Sequence, residues 1–244
     1  MFSINKYGLN RVSYWFMLVA VAALVLQGCA TSPGASYEPA PGHRIGVLNL
    51  VEESYTHTHV GTTVFNNKVD AHDYDQLNVH EYITARVIND LEARSLQALI
   101  IRPEELPGLS ESDLVGMGWN DYRIRPEHVD DLEAVMAEHG LSLLLVFESF
   151  QRQDHVGGSS VHIGGYGLYT RSFFGAGASR AYSNVWGYGI RSKPVAYVAA
   201  GGTRTTRDVE FSSIDESTIR ALEAAVQPII DEVVNNTFAN VGID

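Results

Sequence analysis

Histidine and aspartate side chains are concentrated in one polar stretch that follows the first apolar segment of the chain. His57 and His59 are two residues apart, so an extended backbone would point both side chains to the same side. His72 and Asp73 follow in the same stretch. Two imidazoles and a carboxylate can bind zinc or a similar divalent ion and leave one position open for water. The stretch is a candidate metal site, although a solvated polar loop is the more frequent outcome of such loose spacing.

The linear motifs of common enzymes are missing from the sequence. His80-Glu81 has Thr84 where a zinc-protease helix needs its second histidine. The segment 157–160 lacks the glycine that follows the serine of a hydrolase elbow, and 175–180 lacks the third glycine of a dinucleotide loop. We therefore expect a non-catalytic protein without a cofactor. The alternative is a metal-binding protein or metal-dependent enzyme that uses the His/Asp loop 57–80.

A basic segment rich in glycine and aromatic residues interrupts an acidic chain. Between Asp154 and Asp208 there is no acidic residue, whereas the whole sequence holds 29 acidic and 17 basic residues. Such a segment can have a purely structural role, as a twisted sheet of its own. Alternatively, it can bind lipid phosphates, an acidic partner or the acidic body of a second copy. The residues predicted for this binding surface are Arg171, Arg180, Arg191, Lys193, Trp186 and Tyr188.

The first 28 residues have the layout of a secretory signal peptide. Lys6 and Arg11 lie in a head without acids, and residues 14–26 form an apolar core that is too short for a comfortable bilayer span. The alternative is an uncleaved N-terminal helix that anchors the chain.

The core ends in Leu26-Gln27-Gly28-Cys29, which resembles the bacterial lipobox. This resemblance implies cleavage before Cys29, acylation of its thiol and of the new amine, and so an anchor of fatty acyl chains such as palmitate. One acyl chain gives only marginal membrane binding, whereas two or more acyl chains form a stable anchor. Ala30 stands where an aspartate would retain such a protein in the inner membrane. Similarity to sorted lipoproteins therefore implies the outer membrane, on its periplasmic face.

Apolar periodicity predicts an α/β fold with a mixed sheet. A parallel β-α-β-α-β core is expected to carry an antiparallel Gly/aromatic hairpin insert at about 155–207 and a C-terminal helix. We predict a lipidated flexible tether over 29–43 and a single periplasmic domain over 44–244. The predicted elements are strands at 44–51, 96–101 and 141–147, helices at 78–95, 126–139 and 213–238, and a hairpin at 182–202 broken at 191–194.

The order of these elements resembles the periplasmic α/β domains of the curli secretion lipoprotein and of the Tol-system propeller protein. The resemblance is carried by Arg44-Ile45-Gly46-Val47-Leu48, the helix that follows, and the closing helix after the insert. It implies an envelope protein that assembles with copies of itself. Pore formation by the insert, as in the curli protein, ranks third among the functions considered.

The expected function is that of a non-catalytic, lipid-anchored envelope lipoprotein, an accessory or oligomerising component of envelope assembly or secretion. Its expected partners are the membrane, through the acyl chains, and either further copies or another envelope protein. Nucleic acid is excluded because the compartment is wrong and the body is strongly acidic.

Overall fold

The domain is organised around two five-stranded sheets in the computed structural model, which describes residues 42–72, 78–109, 114–117, 122–173, 176–211, 213 and 215–243. The strands are β1 (Arg44–Leu50), β2 (Tyr55–Val60), β3 (Lys68–His72), β4 (Gln97–Ile101), β5 (Val115–Met117), β6 (Tyr122–Ile124), β7 (Leu141–Ser149), β8 (Arg152–Gln153), β9 (His162–Ile163), β10 (Tyr166–Phe173), β11 (Ala176–Ser183), β12 (Val185–Ser192), β13 (Val195–Gly202) and β14 (Arg207–Asp208). The helices are α1 (Val79–Ala93), α2 (Pro126–Glu138) and α3 (Glu216–Val241).

The first sheet contains the predicted parallel core. Its order is β13-β12-β7-β1-β4, with β1 parallel to both β4 and β7. Strand β12 then pairs antiparallel with β7, and β13 antiparallel with β12. The mixed α/β fold predicted from the sequence is confirmed, including the hairpin that turns at Lys193-Pro194 and the long C-terminal helix.

Both faces of the first sheet are covered by apolar side chains. One core includes Ile45 and Val47 of β1 together with the apolar stripes of α1 and α3, and the other includes Leu48 with the stripe of α2. This covering explains why β1 is apolar on both faces. The buried stripes are Val79, Ile83, Val87 and Leu91 on α1, and Ile219, Leu222, Val226, Ile229, Ile230 and Val233 on α3.

The helix boundaries follow local signals in the sequence. The side chain of Asn78 accepts a hydrogen bond from the Glu81 amide at 3.0 Å, which caps α1 as its spacing predicts. Asp215 caps α3 by accepting from the Thr218 amide at 2.9 Å, and Gly242 ends that helix in the left-handed conformation. Within the ranges that the structure describes, none of the helices is both long and apolar enough to cross a membrane.

The basic insert is divided between the two sheets. Strands β12 and β13 extend the first sheet, whereas β10 and β11 form the middle of a second sheet with the order β14-β11-β10-β2-β3. Strand β2 is parallel to β10, and β3 is antiparallel to β2. The expectation of a polar loop after β1 is therefore wrong for residues 55–60 and 68–72. Residues 55–60 form a strand because Thr58 and Val60 are buried there, whereas residues 68–72 pair with that strand and remain mostly exposed.

Small residues let α3 lie directly on the hairpin of the first sheet. A Cβ atom at Gly201 would lie 2.1 Å from the backbone nitrogen of Thr237, and one at Gly187 would lie 2.4 Å from the Thr237 hydroxyl. That hydroxyl donates to the Val233 carbonyl at 2.7 Å. Since a backbone atom blocks the space at Gly201, no side chain fits there unless the helix moves.

We predict that Gly201→Ala destabilises the domain while Gly202→Ala does not. A Cβ at Gly202 would meet Trp186 at 3.7 Å, an ordinary contact, whereas the one at Gly201 would overlap α3. Overpacking of this kind costs about 2 to 3 kcal/mol, against about 0.5 kcal/mol or less for the control. Urea unfolding of residues 30–244 measures both. Equal stabilities for the two variants would contradict the close approach of α3.

Candidate functional site

Two neighbouring pockets meet at the carboxyl ends of β1 and β7. One has a volume of about 710 Å³ and the other about 580 Å³, and both are lined by Glu52, Glu148 and Ser149. We call them together the edge cleft. Loops that follow parallel strands converge at this edge of a sheet, and ligands of open α/β sheets bind there. The edge cleft is therefore the candidate functional site of the domain.

A buried asparagine holds the first half of the edge cleft in place. The Asn49 side chain donates to the His80 carbonyl at 2.8 Å and to the Thr84 hydroxyl at 3.0 Å, and it accepts from the Val51 amide at 3.1 Å. His80 Nδ1 lies 3.0 Å from the Val51 carbonyl, which can only accept, so that nitrogen carries the hydrogen. These bonds tie the end of β1 to the first turn of α1.

The second half of the edge cleft has an aromatic wall. The indole Nε1 of Trp186 donates to a carboxylate oxygen of Glu148 at 3.0 Å. The Trp186 ring lies 4.8 Å from Tyr122 and 5.8 Å from Phe150, measured between ring centroids. The Glu148 carboxylate is thus held against a wall of three aromatic rings. Beside it, the Ser149 hydroxyl is buried without a hydrogen-bond partner among the described residues.

Acidic side chains dominate the polar lining of the edge cleft. Its lining includes four carboxylates, those of Glu52, Glu53, Glu104 and Glu148, together with the guanidinium group of Arg125. Carboxylates beside aromatic rings favour a ligand that carries positive charge or several hydrogen-bond donors. In the part of the chain that the structure describes, no hydrogen bond joins Ser149 to a histidine as a nucleophile would require.

The predicted metal ligands on β2 both contact one threonine hydroxyl group. His57 Nε2 and His59 Nδ1 each lie 2.9 Å from the Thr170 hydroxyl on the neighbouring strand β10. The His72 ring on β3 lies 6.5 Å from that of His57. Among the described residues, no three His, Cys, Asp or Glu side chains are placed to hold a metal ion. Asp73 lies outside the described residues, so a metal site with that ligand stays a prediction.

Burial and neighbouring imidazoles lower the pKa of His57. The largest cause is burial of the ring, and the positive charges of His59 and His72 add to it, while Asp70 opposes them. The cross-strand register places Asp70 directly opposite His57. The arrangement therefore favours a neutral His57 near pH 7.

The residues predicted for a basic and aromatic binding surface do not come together. Arg171 and Arg180 are on β10 and β11 of the second sheet, whereas Arg191 and Lys193 are exposed at the β12–β13 turn of the first. Trp186 and Tyr188 pack in the aromatic cluster on the first sheet, with ring centroids 5.2 Å apart. Tyr188 is fully buried, and Trp186 contributes to the edge cleft instead.

Sequence reasoning missed Glu52, Glu148 and Ser149. Each lies just beyond an apolar strand segment or at its end, which is a signal that could have identified them. Their meeting in one cleft depends on which strands become neighbours. Cys29, the predicted lipidation site, and the rest of residues 1–41 lie outside the described residues.

Comparisons with known proteins give structural matches of low sequence identity. No family model matches the chain, and no curated protein matches it significantly. A DUF330 protein from Xanthomonas campestris is 10% identical, with a TM-score of 0.41 over 86% of this chain and 90% of that one. A hypothetical protein from Chlamydia trachomatis is 11% identical, with a TM-score of 0.39 over 83% of this chain and 99% of that one.

PelC from Paraburkholderia phytofirmans, solved as a dodecamer, is a further match. It is 11% identical, with a TM-score of 0.31 over 83% of this chain and 93% of that one. At these identities and scores, similarity identifies neither a family nor a function for the chain.

We predict that His57 titrates below its ordinary pKa of 6.5. The unfolded chain then binds a proton at this side chain at higher pH than the folded chain does. The free energy of unfolding should therefore fall as the pH is lowered through 6.5. The stabilising contribution of the neutral His57 ring is fully present above that pH. NMR titration of the imidazole signals measures the pKa, and urea unfolding between pH 7.5 and 5.5 measures the stability.

The matched variants are His57→Gln and His43→Gln. His57→Gln should weaken the pH dependence of stability, and His43→Gln, which removes an exposed imidazole, is the control. A His57 pKa at or above 6.5 would show that the ring is not desolvated as described.

Proposed function

We propose that the chain is a non-catalytic lipoprotein of the bacterial cell envelope, anchored by acyl chains on Cys29 to the periplasmic face of the outer membrane. Its role is that of an accessory or oligomerising component of envelope assembly or secretion. The observation that carries this proposal is the only cysteine of the sequence, which directly follows Leu26-Gln27-Gly28 at the end of a short apolar core. Acylation of that thiol turns a water-soluble domain into a membrane-bound one.

The point at which the described chain enters the domain supports an anchored arrangement. In the proposed organisation, residues 1–28 are removed, 29–43 form the tether and 44–244 form the domain. A flexible chain of the tether's length has an end-to-end distance of roughly 20 Å. The described chain enters the domain at an exposed Gly42 and continues into the amino end of β1.

The edge cleft lies at the other end of the same strand. Strand β1 is seven residues long, and its last residues line the cleft. A strand of this length separates its two ends by about 20 Å. The described chain therefore enters the domain at the edge opposite to the cleft, and in the proposed arrangement a periplasmic partner binds at the cleft.

Charge segregation supports contacts between copies. Arg191 and Lys193 are exposed at the turn of the first hairpin, and no acidic residue lies between Asp154 and Asp208. The exposed side of α2 is acidic, with Glu127, Asp130, Glu133 and Glu138. The two patches adjoin on each copy, because Glu133 and Lys193 line the same pocket, and each patch can pair with its opposite on a second copy.

We predict that acylation depends on Cys29 and on its position. In a bacterial host supplied with an alkyne analogue of palmitate, the wild-type chain should incorporate the label and lose residues 1–28. Cys29→Ser should remain unlabelled and uncut, because no thiol is left in the chain. The control combines Cys29→Ser with Ser32→Cys, which restores a thiol outside the lipobox and should also remain unlabelled. Labelling of Cys29→Ser would contradict the proposal.

We also predict that association between copies weakens when the basic turn is reversed in charge. Arg191→Glu together with Lys193→Glu should raise the dissociation constant about tenfold or more at low salt, because attraction becomes repulsion. Light scattering on residues 30–244 at 50 and 500 mM salt measures the molecular mass. Arg220→Glu changes an exposed charge on α3 and serves as the control. A wild-type monomer at all concentrations would contradict the oligomer.

A further inference from the structure

Within the described ranges, the half-buried Arg152 near the end of the first sheet has no acidic hydrogen-bond partner. The guanidinium of Arg152 on β8 lies over the Phe150 ring, 5.4 Å from its centroid, and its Nε donates to His155 Nδ1 at 3.0 Å. Its Nη2 atom is buried and, among the described residues, has no hydrogen-bond partner. Burial and the nearby charge of Arg204 lower the pKa of Arg152, with no carboxylate opposing them.

The imidazole of His155 adds a second unused donor. Because its Nδ1 accepts from Arg152, the hydrogen of the neutral ring lies on Nε2. That Nε2 atom is also buried and lacks a partner within the described ranges. Burial, followed by the charges of Arg152 and Arg204, lowers the pKa of His155 to about 4. The ring is therefore neutral near pH 7 and presents an N–H group.

The nearest acid is already saturated by other donors. The carboxylate of Asp154 accepts hydrogen bonds from the Val156, Gly157 and Ser159 amides, from the Ser159 hydroxyl and from the Tyr169 hydroxyl, at 2.6 to 3.0 Å. Although burial raises the pKa of this carboxyl group, the hydrogen bonds lower it to about 2. Its oxygens are directed into the loop 154–159, so they are not available to neutralise Arg152.

We define Arg152, His155 and Arg204 as the cationic cluster. Among the described residues, its buried donor atoms Nη2 of Arg152 and Nε2 of His155 lack an acceptor. Arg204 is exposed and its charge lowers the pKa of both Arg152 and His155, whereas the donor atoms of those two residues are buried. A buried donor without a partner is destabilising, and more so when it belongs to a charged group. An anion that accepts from these donors would remove that cost.

We propose that the cationic cluster is a binding site for a phosphate group. Two guanidinium groups supply two positive charges, which match the charge of about −1.5 to −2 that a phosphate monoester carries near pH 7. The imidazole N–H supplies a further donor for its tetrahedral oxygens. A carboxylate has a single charge and two oxygens, so it leaves part of this donor set unused. The phosphate can be a free ion or part of a lipid headgroup.

The test is a titration of the full-length chain, purified in detergent, with three anions at matched ionic strength and pH 7. Inorganic phosphate represents the free ion, glycerol phosphate represents the headgroup, and acetate represents a carboxylate. Calorimetry measures the affinity, and NMR follows the imidazole signals of His155, assigned with His155→Gln. We expect phosphate to bind and to shift the Nε2 signal of His155, and acetate to do neither.

The variant Arg204→Gln should weaken phosphate binding about tenfold. Because Arg204 is exposed, its replacement should leave the fold intact, which urea unfolding checks. Arg191→Gln removes an equal charge from the distant β12–β13 turn and should leave phosphate affinity unchanged.

Each outcome of the titration decides the proposal. Binding of glycerol phosphate as tightly as inorganic phosphate supports the site and identifies a headgroup as its source, and binding of inorganic phosphate alone supports a free ion. Three results would overturn the proposal: no heat and no His155 shift with either phosphate, equal binding of acetate, or equal weakening by Arg204→Gln and Arg191→Gln.

Discussion

The fold depends on the requirement that β1 be buried on both faces. Ile45 and Val47 need one apolar layer and Leu48 needs another, so helices must lie on both sides of the first sheet. Gly46 shows how tightly this strand is enclosed, because a Cβ there would lie 2.7 Å from the side chains of Leu141 and Leu144. With both faces covered, the strand ends are what remains for binding. The described chain enters the strand at one end, and the edge cleft lies at the other.

The α3 helix connects this sheet to the rest of the domain. It contacts β12 and β13 of the first sheet and β10 and β11 of the second, so the insert and the core share one apolar interior. The glycines of the hairpin serve this packing, since Gly187 and Gly201 leave room for Thr237 on the helix. The glycine and aromatic residues of the insert thus serve mainly to pack the domain. The arginines of the insert lie at the surface or near strand ends.

The sequence predicts those parts of the fold whose signals are local. The stripes on α1 and α3, the cap at Asn78, and the apolar strands β1, β4 and β7 follow from periodicity and capping, whereas α3 starts at the Asp215 cap and not at Ser213 as predicted. The second sheet does not, because β2 pairs with β10 more than a hundred residues later, and polar alternation around Thr58 resembles a loop. The candidate site was predictable in part: Trp186 was identified as a binding residue, but its partner Glu148 was not. The edge cleft is formed by segments that are far apart in the sequence, so no local sequence pattern predicts it.

Under the proposed function, an acyl anchor on Cys29 holds an acidic domain that carries the edge cleft at the carboxyl ends of β1 and β7. The most direct measurement is the intact mass of the wild-type chain extracted from bacterial membranes with detergent. The account predicts a chain that begins at Cys29 and carries the added mass of at least two acyl chains. A chain that retains residues 1–28 with a free thiol at Cys29 would contradict it.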